Sequence, residues 1–318
     1  MQDSTEGFDL AQARVCVVMN RGSGKKKHQE LRQMLEERLA PACGSYILRE
    51  SRKGRDLPAL ARQVAGEDFD LVIAAGGDGT QSAVADALTG SETIMGVLPG
   101  GTFNYFARDL GVGEIVEDAL DTILDARVEA VDVGNVNGLI FLNNLSFGAY
   151  PQILKTREGI YKRWGRSRLA AYWSVLVALR RLRNPMQLVA RVEGESRRYT
   201  SALVFVARSA YQLDSFGLEG AAEIRRGEFA VLIAKAKRPL PLMRSALRMA
   251  VGRSAKDDDF DLILTDELQI ETPKRRQLVA HDGEKTTLDS PFRLQVRHEG
   301  LRVLLPRDGV SKTARDEA

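Results

Sequence analysis

Cysteine is scarce in this sequence: Cys16 and Cys43 are the two in 318 residues, and they do not form a Cys-x-x-Cys pair. A disulfide framework and a cysteine-rich zinc site are therefore excluded as the basis of the fold. Cys16 lies in the apolar run 14–20, which predicts a buried, reduced thiol. We therefore expect a reducing, cytoplasmic compartment.

Long hydrophobic runs and a large net charge of either sign are also missing. No uninterrupted apolar run approaches the ~20 residues needed to span a bilayer, and residues 1–13 are acidic and lack the apolar centre of a signal peptide. The net charge of +3 is too small to argue for nucleic acid as a partner. The three histidines are scattered, and no metal-ligand spacing appears.

The chain is long enough for two domains, and its pattern of apolar runs changes near residue 131. Before that point, short buried strands alternate with helical patterns, which is typical of βα units on a parallel sheet. The strands are predicted at 14–20, 70–75 and 93–98, and the helices at 29–39, 57–64, 82–88 and 114–126.

The second half predicts a mainly antiparallel sheet, with Asn137-Gly138 as a strong hairpin signal. Its strands are predicted at 131–136, 139–143, 187–193, 202–207, 228–234, 261–265, 267–271, 292–297 and 302–305. One helical stretch, 167–182, is flanked by arginines and is either an interfacial element or an ordinary packed helix. The predicted division is an α/β domain at 13–130, a β-rich domain at 131–306, and flexible tails at 1–12 and 307–318.

Three glycine-bearing loops follow strands of the first half, where open α/β sheets bind their ligands. The first runs from Asn20 to Lys27, with Ser23 and Gly24 followed by three lysines that begin at Lys25. Its small residues let backbone N–H groups approach an anion, and the lysines that follow add positive potential. It is neither a Walker A loop nor a dinucleotide fingerprint. A plain exposed turn is an equally good interpretation.

The second loop is Gly76-Gly77-Asp78-Gly79-Thr80, directly after a buried strand. Consecutive glycines leave no side chain between the backbone and a ligand. The Asp78 carboxylate suits Mg²⁺ or the γ-phosphate, and the Thr80 hydroxyl suits a phosphate oxygen. The alternative is a tight turn in which Asp78 caps a helix.

The third loop, Pro99-Gly100-Gly101-Thr102-Phe103-Asn104, stands at the next strand end. Gly101 and Thr102 repeat the pattern of Gly79 and Thr80. Asn104 is interpreted as a cap of the following helix, as a nucleotide ligand, or as both.

These loops, in this order and spacing, resemble the diacylglycerol kinase catalytic-domain family, which includes bacterial lipid kinases and sphingosine kinases. The first loop is similar to the family's Asn-Pro-x-Ser-Gly with Arg21 in place of proline, and residues 76–80 match without a change. The third is similar to Pro-x-Gly-Thr-x-Asn-Asp-Phe-Ala-Arg, with Tyr105 in place of aspartate. Residues 141–148 and 281–284 (His-Asp-Gly-Glu) match later motifs, so the resemblance covers almost the whole chain.

The resemblance implies a Rossmann-like nucleotide-binding α/β domain followed by a C-terminal antiparallel β-sandwich-like domain. It implies an ATP-dependent kinase that transfers the γ-phosphoryl group to a lipid hydroxyl, with Mg²⁺ as cofactor and a diacylglycerol-like acceptor. Without a predicted membrane span, the enzyme is expected to meet this lipid at the inner membrane face as a peripheral protein.

The resemblance also assigns roles to residues. Asp282 is expected to accept the hydroxyl proton, Glu284 to position it or to bind Mg²⁺ through water, and Asp78 to act beside the γ-phosphate and its metal. The nucleotide-binding residues implied by the match are Asn20, Ser23, Gly24, Lys25, Gly76, Gly77, Gly79, Thr80, Gly101, Thr102 and Asn104. By itself, Asp282-Gly283 is equally typical of a hairpin turn.

The second half departs from the family in two places. Residues 207–211 (Ala-Arg-Ser-Ala-Tyr) replace Gly-Asn-Asn-x-Tyr, and Arg225-Arg226 replaces an acidic pair. The structural Mg²⁺ site that some relatives have in this domain is therefore not expected here. Two alternative functions stay open: an NAD kinase, which also uses Gly-Gly-Asp-Gly-Thr, and a catalytically idle lipid- or nucleotide-binding protein.

Overall fold

The computed structural model describes residues 8–20, 25–51, 54–148, 151, 185–235 and 259–307. These residues form two compact units: one extends to Val133 and resumes at His298, and the other is Gly134–Arg297. The predicted helix at 167–182 lies outside the described residues, as do 1–7 and 308–318 of the predicted tails.

The first unit is a parallel sheet flanked by helices. Its strands are β1 (Arg14–Asn20), β2 (Ser45–Ser51), β3 (Leu71–Gly76), β4 (Ile94–Pro99) and the last part of β16 (Phe292–Pro306). They lie in the order β2-β1-β3-β4-β16, and every neighbouring pair is parallel.

The helices of this unit alternate with its strands along the chain. They are α1 (Lys25–Met34), α2 (Leu57–Ala65), α3 (Asp78–Leu88), α4 (Tyr105–Leu110) and α5 (Val116–Leu124). A π-helix (Leu35–Leu39) continues α1, and short 3₁₀ turns occupy Ala40–Ala42 and Gly54–Asp56. The predicted βα alternation is confirmed.

Burial explains why these elements form. All six residues of β3 are buried, as expected for a central strand covered on both faces by helices. Leu35 and Leu39 are fully buried and Leu31 is partly buried in the same core, because their spacing of four residues places them on one face of the first helix. Ala119, Leu120 and Ile123 of α5 belong to the same core as the buried residues of β1, β3 and β4.

The first unit differs from the prediction at β2 and at the start of α3, among other places. Strand β2 was missed because, as an edge strand, it is only half buried and its sequence mixes polar and apolar residues. Helix α3 begins at Asp78 rather than at residue 82, so the glycine loop is itself the start of the helix.

The second unit consists of short strands. They are the end of β5 (Ala126–Val136), β6 (Leu139–Phe141), β7 (Asn144–Gly148), β8 (Met186–Val192), β9 (Glu195–Ser201), β10 (Leu203–Ala207), β11 (Phe229–Ala234), β12 (Phe260–Thr265), β13 (Glu267–Glu271), β14 (Arg276–His281), β15 (Glu284–Asp289) and the first part of β16. Two short helices, α6 (Ala210–Ser215) and α7 (Ala221–Arg225), lie between β10 and β11.

These strands form two layers of antiparallel pairs. One sheet has the order β12-β11-β10-β7-β14-β15, and in the other β13 pairs with both β16 and β8, followed by β9. Their inner faces share one core, in which the rings of Phe147 and Phe292 lie 4.8 Å apart between centroids. The predicted β-sandwich-like fold is confirmed. Asn137 and Gly138 form the expected turn, with φ of 51° and 90°.

Strand β16 corrects two predicted strands. Residues 292–297 and 302–305 belong to one strand of 15 residues, because Glu299 adopts φ 50° within it instead of forming a turn. The Glu299 N–H donates to Asp132 Oδ1 at 2.9 Å and holds this irregularity in place.

The compact units differ in extent from the predicted domains 13–130 and 131–306. The first unit includes residues from His298 onward, because Val303 of β16 pairs in parallel with Met95 of β4. Residues 8–12 were predicted as tail, but Phe8 and Leu10 pack against the first core. The functional division into a nucleotide domain and a substrate domain stays a prediction.

No helix among the described residues is long and apolar enough to cross a membrane.

Both cysteines carry free thiols of low reactivity. Burial raises the pKa of Cys16 to about 12 and that of Cys43 to about 11, from an ordinary 9.0. We expect neither thiol to react appreciably with iodoacetamide in the native protein at pH 8, and both to react after unfolding. Because the folded pKa is the higher one, the neutral thiols' contribution to stability is lost as pH rises from about 9 towards 12.

Mass spectrometry of the alkylated protein checks this prediction, and a Cys43→Ser variant assigns the signal to Cys16. Fast labelling of native Cys16 at pH 8 would contradict it.

Candidate active site

The ends of β1, β3 and β4 meet at one edge of the parallel sheet. Met19 of β1 pairs with Ala75 of β3, and Gly76 pairs with Pro99 of β4. The glycine loops that follow β3 and β4 therefore begin side by side, next to Asn20 at the end of β1. This is the edge at which open α/β sheets bind ligands.

The second and third loops are packed backbone against backbone. The N–H of Gly100 donates to the carbonyl of Gly76 at 3.0 Å. A Cβ atom placed on Gly77 would lie 3.1 Å from Gly101 Cα, and one on Gly101 would lie 2.8 Å from Gly77 Cα. The glycines at these positions are needed because any side chain would push the two loops apart.

Asp78 ties these two loops together. Its Oδ1 accepts from the Tyr105 N–H at 2.8 Å, and its Oδ2 accepts from the Asn104 N–H at 3.1 Å. These N–H groups open α4, so Asp78, itself the first residue of α3, caps a different helix. The alternative interpretation of the sequence, in which Asp78 caps its own helix, differs from this arrangement, because the N-cap of α3 is Gly77.

Asn104 holds the third loop from within. It is buried, with φ 49°, and its Oδ1 accepts from the Gly101 N–H at 2.9 Å. It occupies the N-cap position of α4, but its side chain makes no cap bond. The predicted side-chain capping by Asn104 is therefore wrong, because Asp78 already receives the first N–H groups of the helix.

A cavity of about 330 Å³ opens beside these loops within the first unit. Four of the predicted nucleotide-binding residues line it: Asn20, Gly76, Gly101 and Asn104. The side of the cavity formed by helices is mixed. Leu31 and Met34 from α1 and Ile115 and Val116 at the start of α5 are apolar, and the polar or charged residues among them are His28, Glu30, Glu114 and Glu117.

Other predicted nucleotide-binding residues take different positions. Thr80 is buried, and its Oγ1 lies so close to Gly76 that a Cβ there would approach it to 2.4 Å. Gly79 is half-buried, while Thr102 is exposed. Lys25 is the first residue of α1, whereas Ser23 and Gly24 lie outside the described residues.

The second unit presents Asp282 at the tip of a hairpin. Asp282 and Gly283 have φ of 45° and 83° and join β14 to β15, with His281 paired to Glu284. The segment is therefore a two-residue hairpin turn, as the simpler interpretation of the sequence had it. The turn does not by itself explain the aspartate, whose side chain is directed inward and is 5% exposed.

The Asp282 carboxylate is held by the backbone of the segment between β6 and β7. Oδ2 accepts from the Leu142 N–H at 2.8 Å, and Oδ1 accepts from the N–H groups of Asn143 and Asn144 at 2.8 and 3.1 Å. In return, the Asp282 N–H donates to the Asn144 carbonyl at 3.1 Å. Sequence analysis did not predict these hydrogen bonds, although Asn143 and Asn144 stand in a matched motif.

Glu284 differs from Asp282 in its surroundings. It opens β15 directly after the turn, and it is exposed. The hairpin thus offers one buried, fixed carboxylate and one accessible carboxylate two residues apart.

Arginine side chains connect the two segments in which the second unit departs from the family, residues 207–211 and 225–226. Arg225 of α7 pairs with Asp214 of α6 at 2.5 Å, and Arg226 pairs with Glu223 at 2.8 Å. Arg208 donates to the Ile224 carbonyl at 3.0 Å. These arginines therefore pair with nearby acids and with the backbone of α7.

The parts of the chain that the structure describes contain no group of three or more His, Cys, Asp or Glu able to hold a metal ion. A divalent cation bound mainly by phosphate oxygens needs only one or two protein carboxylates, so the predicted Mg²⁺ does not require such a group.

Both units are similar to domains of known proteins. Residues 14–136 match the family model of the Diacylglycerol kinase catalytic domain, and residues 157–305 match that of the YegS C-terminal NAD kinase beta sandwich-like domain. A "Diacylglycerol kinase" of Bacillus subtilis (strain 168) is 26% identical over 309 residues, 93% of this chain and 97% of the relative. One of Staphylococcus epidermidis is 30% identical over 142 residues, 44% of this chain and 45% of the relative.

Solved structures show the same fold. A crystal structure described as a diacylglycerol kinase from Bacillus anthracis str. Sterne has a TM-score of 0.69 at 21% identity, and covers 93% of this chain and 98% of that one. With the two family models matched in order along the chain, the protein belongs to the diacylglycerol kinase catalytic-domain family.

Proposed function

We propose that this protein is an ATP-dependent lipid kinase that transfers the γ-phosphoryl group to the hydroxyl of a diacylglycerol-like lipid. The observation that carries the proposal is the pair of glycine loops, packed on each other at Gly77 and Gly101 and tied by Asp78. Exposed backbone at strand ends next to a helix start suits the phosphates of a nucleotide. The full-length likeness to a relative named diacylglycerol kinase supports the choice of acceptor.

In the first unit, the proposed role of the loops is to hold ATP. Gly76, Gly101 and Asn104 border the cavity and would contact the phosphates, while the apolar residues of its helical side would contact the rest of the nucleotide. Asn20, the residues 23–25, Gly77, Gly79, Thr80 and Thr102 remain proposed contributors. Asp78 would hold Mg²⁺ through water, and the ion supplies charge neutralisation on the phosphates when bound.

In the second unit, we propose that Asp282 accepts the proton of the substrate hydroxyl. A carboxylate has about four acceptor sites, and backbone N–H groups fill three of them. The remaining acceptor site of the carboxylate can receive the proton of the lipid hydroxyl. As that proton is transferred, the hydroxyl oxygen forms a bond to the γ-phosphorus, and ADP leaves with the oxygen that bridged the β- and γ-phosphates. Glu284, exposed on the same hairpin, would orient the acceptor or a metal-bound water.

The acceptor lipid resides in membranes, so we propose that the enzyme works as a peripheral protein at the inner membrane face. Since residues 152–184 are outside the described part, no surface of the first or second unit is assigned to this contact.

The test is transfer of labelled phosphate from ATP-Mg²⁺ to lipids in mixed micelles. The panel contains diacylglycerol, monoacylglycerol, phosphatidylglycerol, sphingosine and ceramide, with NAD as a further acceptor and Asp78→Ala as the control variant. We expect labelled lipid, with diacylglycerol preferred, and its loss in the variant. Label on NAD would favour an NAD kinase, and ATP binding without transfer to any acceptor would favour an idle binding protein.

A further inference from the structure

We infer that Gln212, which no motif singled out, is a positioning residue for the Asp282 carboxylate and acts through Asn144. This inference rests on the proposed kinase function, because it concerns the proton acceptor of that reaction. It is carried by a chain of hydrogen bonds that leads from α6 to the hairpin turn.

The first link is the cradle around Asp282. Its three N–H donors belong to consecutive residues, Leu142 to Asn144, so the direction of the carboxylate depends on where this segment lies. Since the sequence separation between Asp282 and these donors is 138 to 140 residues, local chain geometry does not fix the contact.

The second link is the side chain of Asn144. Its Nδ2 donates to Gln212 Oε1 at 2.9 Å, and both residues are buried, with 7% and 4% exposure. A buried amide donor needs a partner, and this bond supplies one. The segment is also held through its backbone, because the Asn143 carbonyl accepts from the N–H groups of Arg208 and Ser209 at 2.8 and 3.1 Å.

The third link fixes Gln212 itself. Its N–H donates to the Ser209 hydroxyl, the N-cap of α6, at 3.0 Å, and its carbonyl accepts from the Ser215 hydroxyl at 2.8 Å. The start of α6 lies where the chain departs from the family sequence. The chain's own Ser209 and Gln212 therefore support the turn that carries Asp282.

The geometry explains how a residue without a substrate contact can influence the reaction. If the Gln212 amide is removed, Asn144 Nδ2 is left as a buried donor without its acceptor, and the segment must shift to find another. A displacement of about 1 Å at reacting groups lowers a rate by about 10²-fold. All of these bonds lie in the second unit, whereas ATP binding is proposed for the first.

The experiment compares Gln212→Leu with Gln212→Glu, which keeps an acceptor oxygen for Asn144. For Gln212→Leu we expect kcat to fall by roughly 10- to 100-fold, with the KM for ATP little changed. Gln212→Glu is expected to retain most of kcat. The matched control is Gln269→Leu: Gln269 is half-buried in β13, bonds Glu271 at 2.8 Å and should tolerate the change.

A double variant separates positioning from general loosening. Gln212→Leu combined with Asn144→Leu should lose no more activity than Asn144→Leu alone, because the two side chains act as one pair. Losses that multiply would overturn the inference, as would an unchanged kcat in a folded Gln212→Leu protein whose parent is active.

A second measurement does not depend on activity. Hydrogen exchange of a peptide that covers Leu142 to Asn144 should be faster in Gln212→Leu than in the parent and in Gln269→Leu, since those amides lose protection when the cradle opens. Equal protection would overturn the inference even if the parent protein transfers no phosphate. Failure of the proposed function would appear separately, as a parent without transfer to any acceptor.

Discussion

Asp282→Asn is expected to lower kcat for phosphoryl transfer by about 10²- to 10⁴-fold, the range that a positioned general base contributes. Asparagine keeps the size of the side chain but has one acceptor oxygen in place of two. Its amide N–H₂ would face a backbone N–H of residues 142–144, and at least one of those buried donors would lose its partner. We therefore also expect a lower melting temperature, from a cost of about 1–3 kcal/mol.

The control for this variant is Asp289→Asn at the other end of β15. Asp289 is exposed and pairs with Arg275 and Arg276 at 3.5 and 3.6 Å, contacts that contribute little to stability. Steady-state kinetics with saturating lipid measure kcat, and circular dichroism confirms folding. A folded Asp282→Asn protein with the parent's kcat would refute the assignment of the proton acceptor.

Gly101→Ala is expected to weaken ATP binding by more than about 10-fold, through sterics alone. Its added Cβ would meet Asn104 Oδ1 and Gly77 Cα, each at 2.8 Å, and neither neighbour can yield easily. Asn104 is buried and bonded to the Gly101 N–H, and Gly77 belongs to the adjacent loop. The two loops must therefore separate, and phosphate contacts from both are lost together.

Gly66→Ala provides the matched control. Gly66 has φ −86° and follows α2, and its added Cβ would have the Gln63 carbonyl oxygen as its nearest neighbour, at 3.5 Å. This is ordinary van der Waals contact, so the substitution should leave ATP binding unchanged and tends to stabilise by restricting the unfolded chain. Calorimetric titration with ATP measures both variants. Equal affinity of Gly101→Ala and the parent would show that the loop contact is not needed for the nucleotide.

The first unit was predicted well because its signals are local. A buried parallel strand such as β3 is a continuous apolar run, and the glycines after it mark the strand end. Strand β2 was not predicted, because a strand at the edge of a sheet is only partly buried and so lacks a continuous apolar run. The start of α3 was placed too late, since Gly79 within the first helical turn reads as loop.

The hydrogen-bond partners of Asp78 and Asp282 could not be predicted from the sequence. Asp78 and Asp282 were singled out as residues, but the donors that each carboxylate binds lie elsewhere in the chain, at Asn104 and Tyr105 for Asp78 and at residues 142–144 for Asp282. These hydrogen bonds depend on the tertiary fold, and the periodicity and spacing of residues in the sequence do not predict which distant residues meet. Gln212 was missed for the same reason, because a glutamine in a short helix gives no signal of its own.

Strand β16 makes the first unit dependent on the order of synthesis. Its Val303 pairs with β4, and its Leu304 is buried in the first core, yet both follow the whole second unit along the chain. While the ribosome makes that second unit, β4 has an unpaired edge that is open to other chains. A chain that stops at Arg297 contains every residue of the second unit and still leaves the first one unfinished. Truncation of the chain before Val303 would thus damage the N-terminal half of the protein.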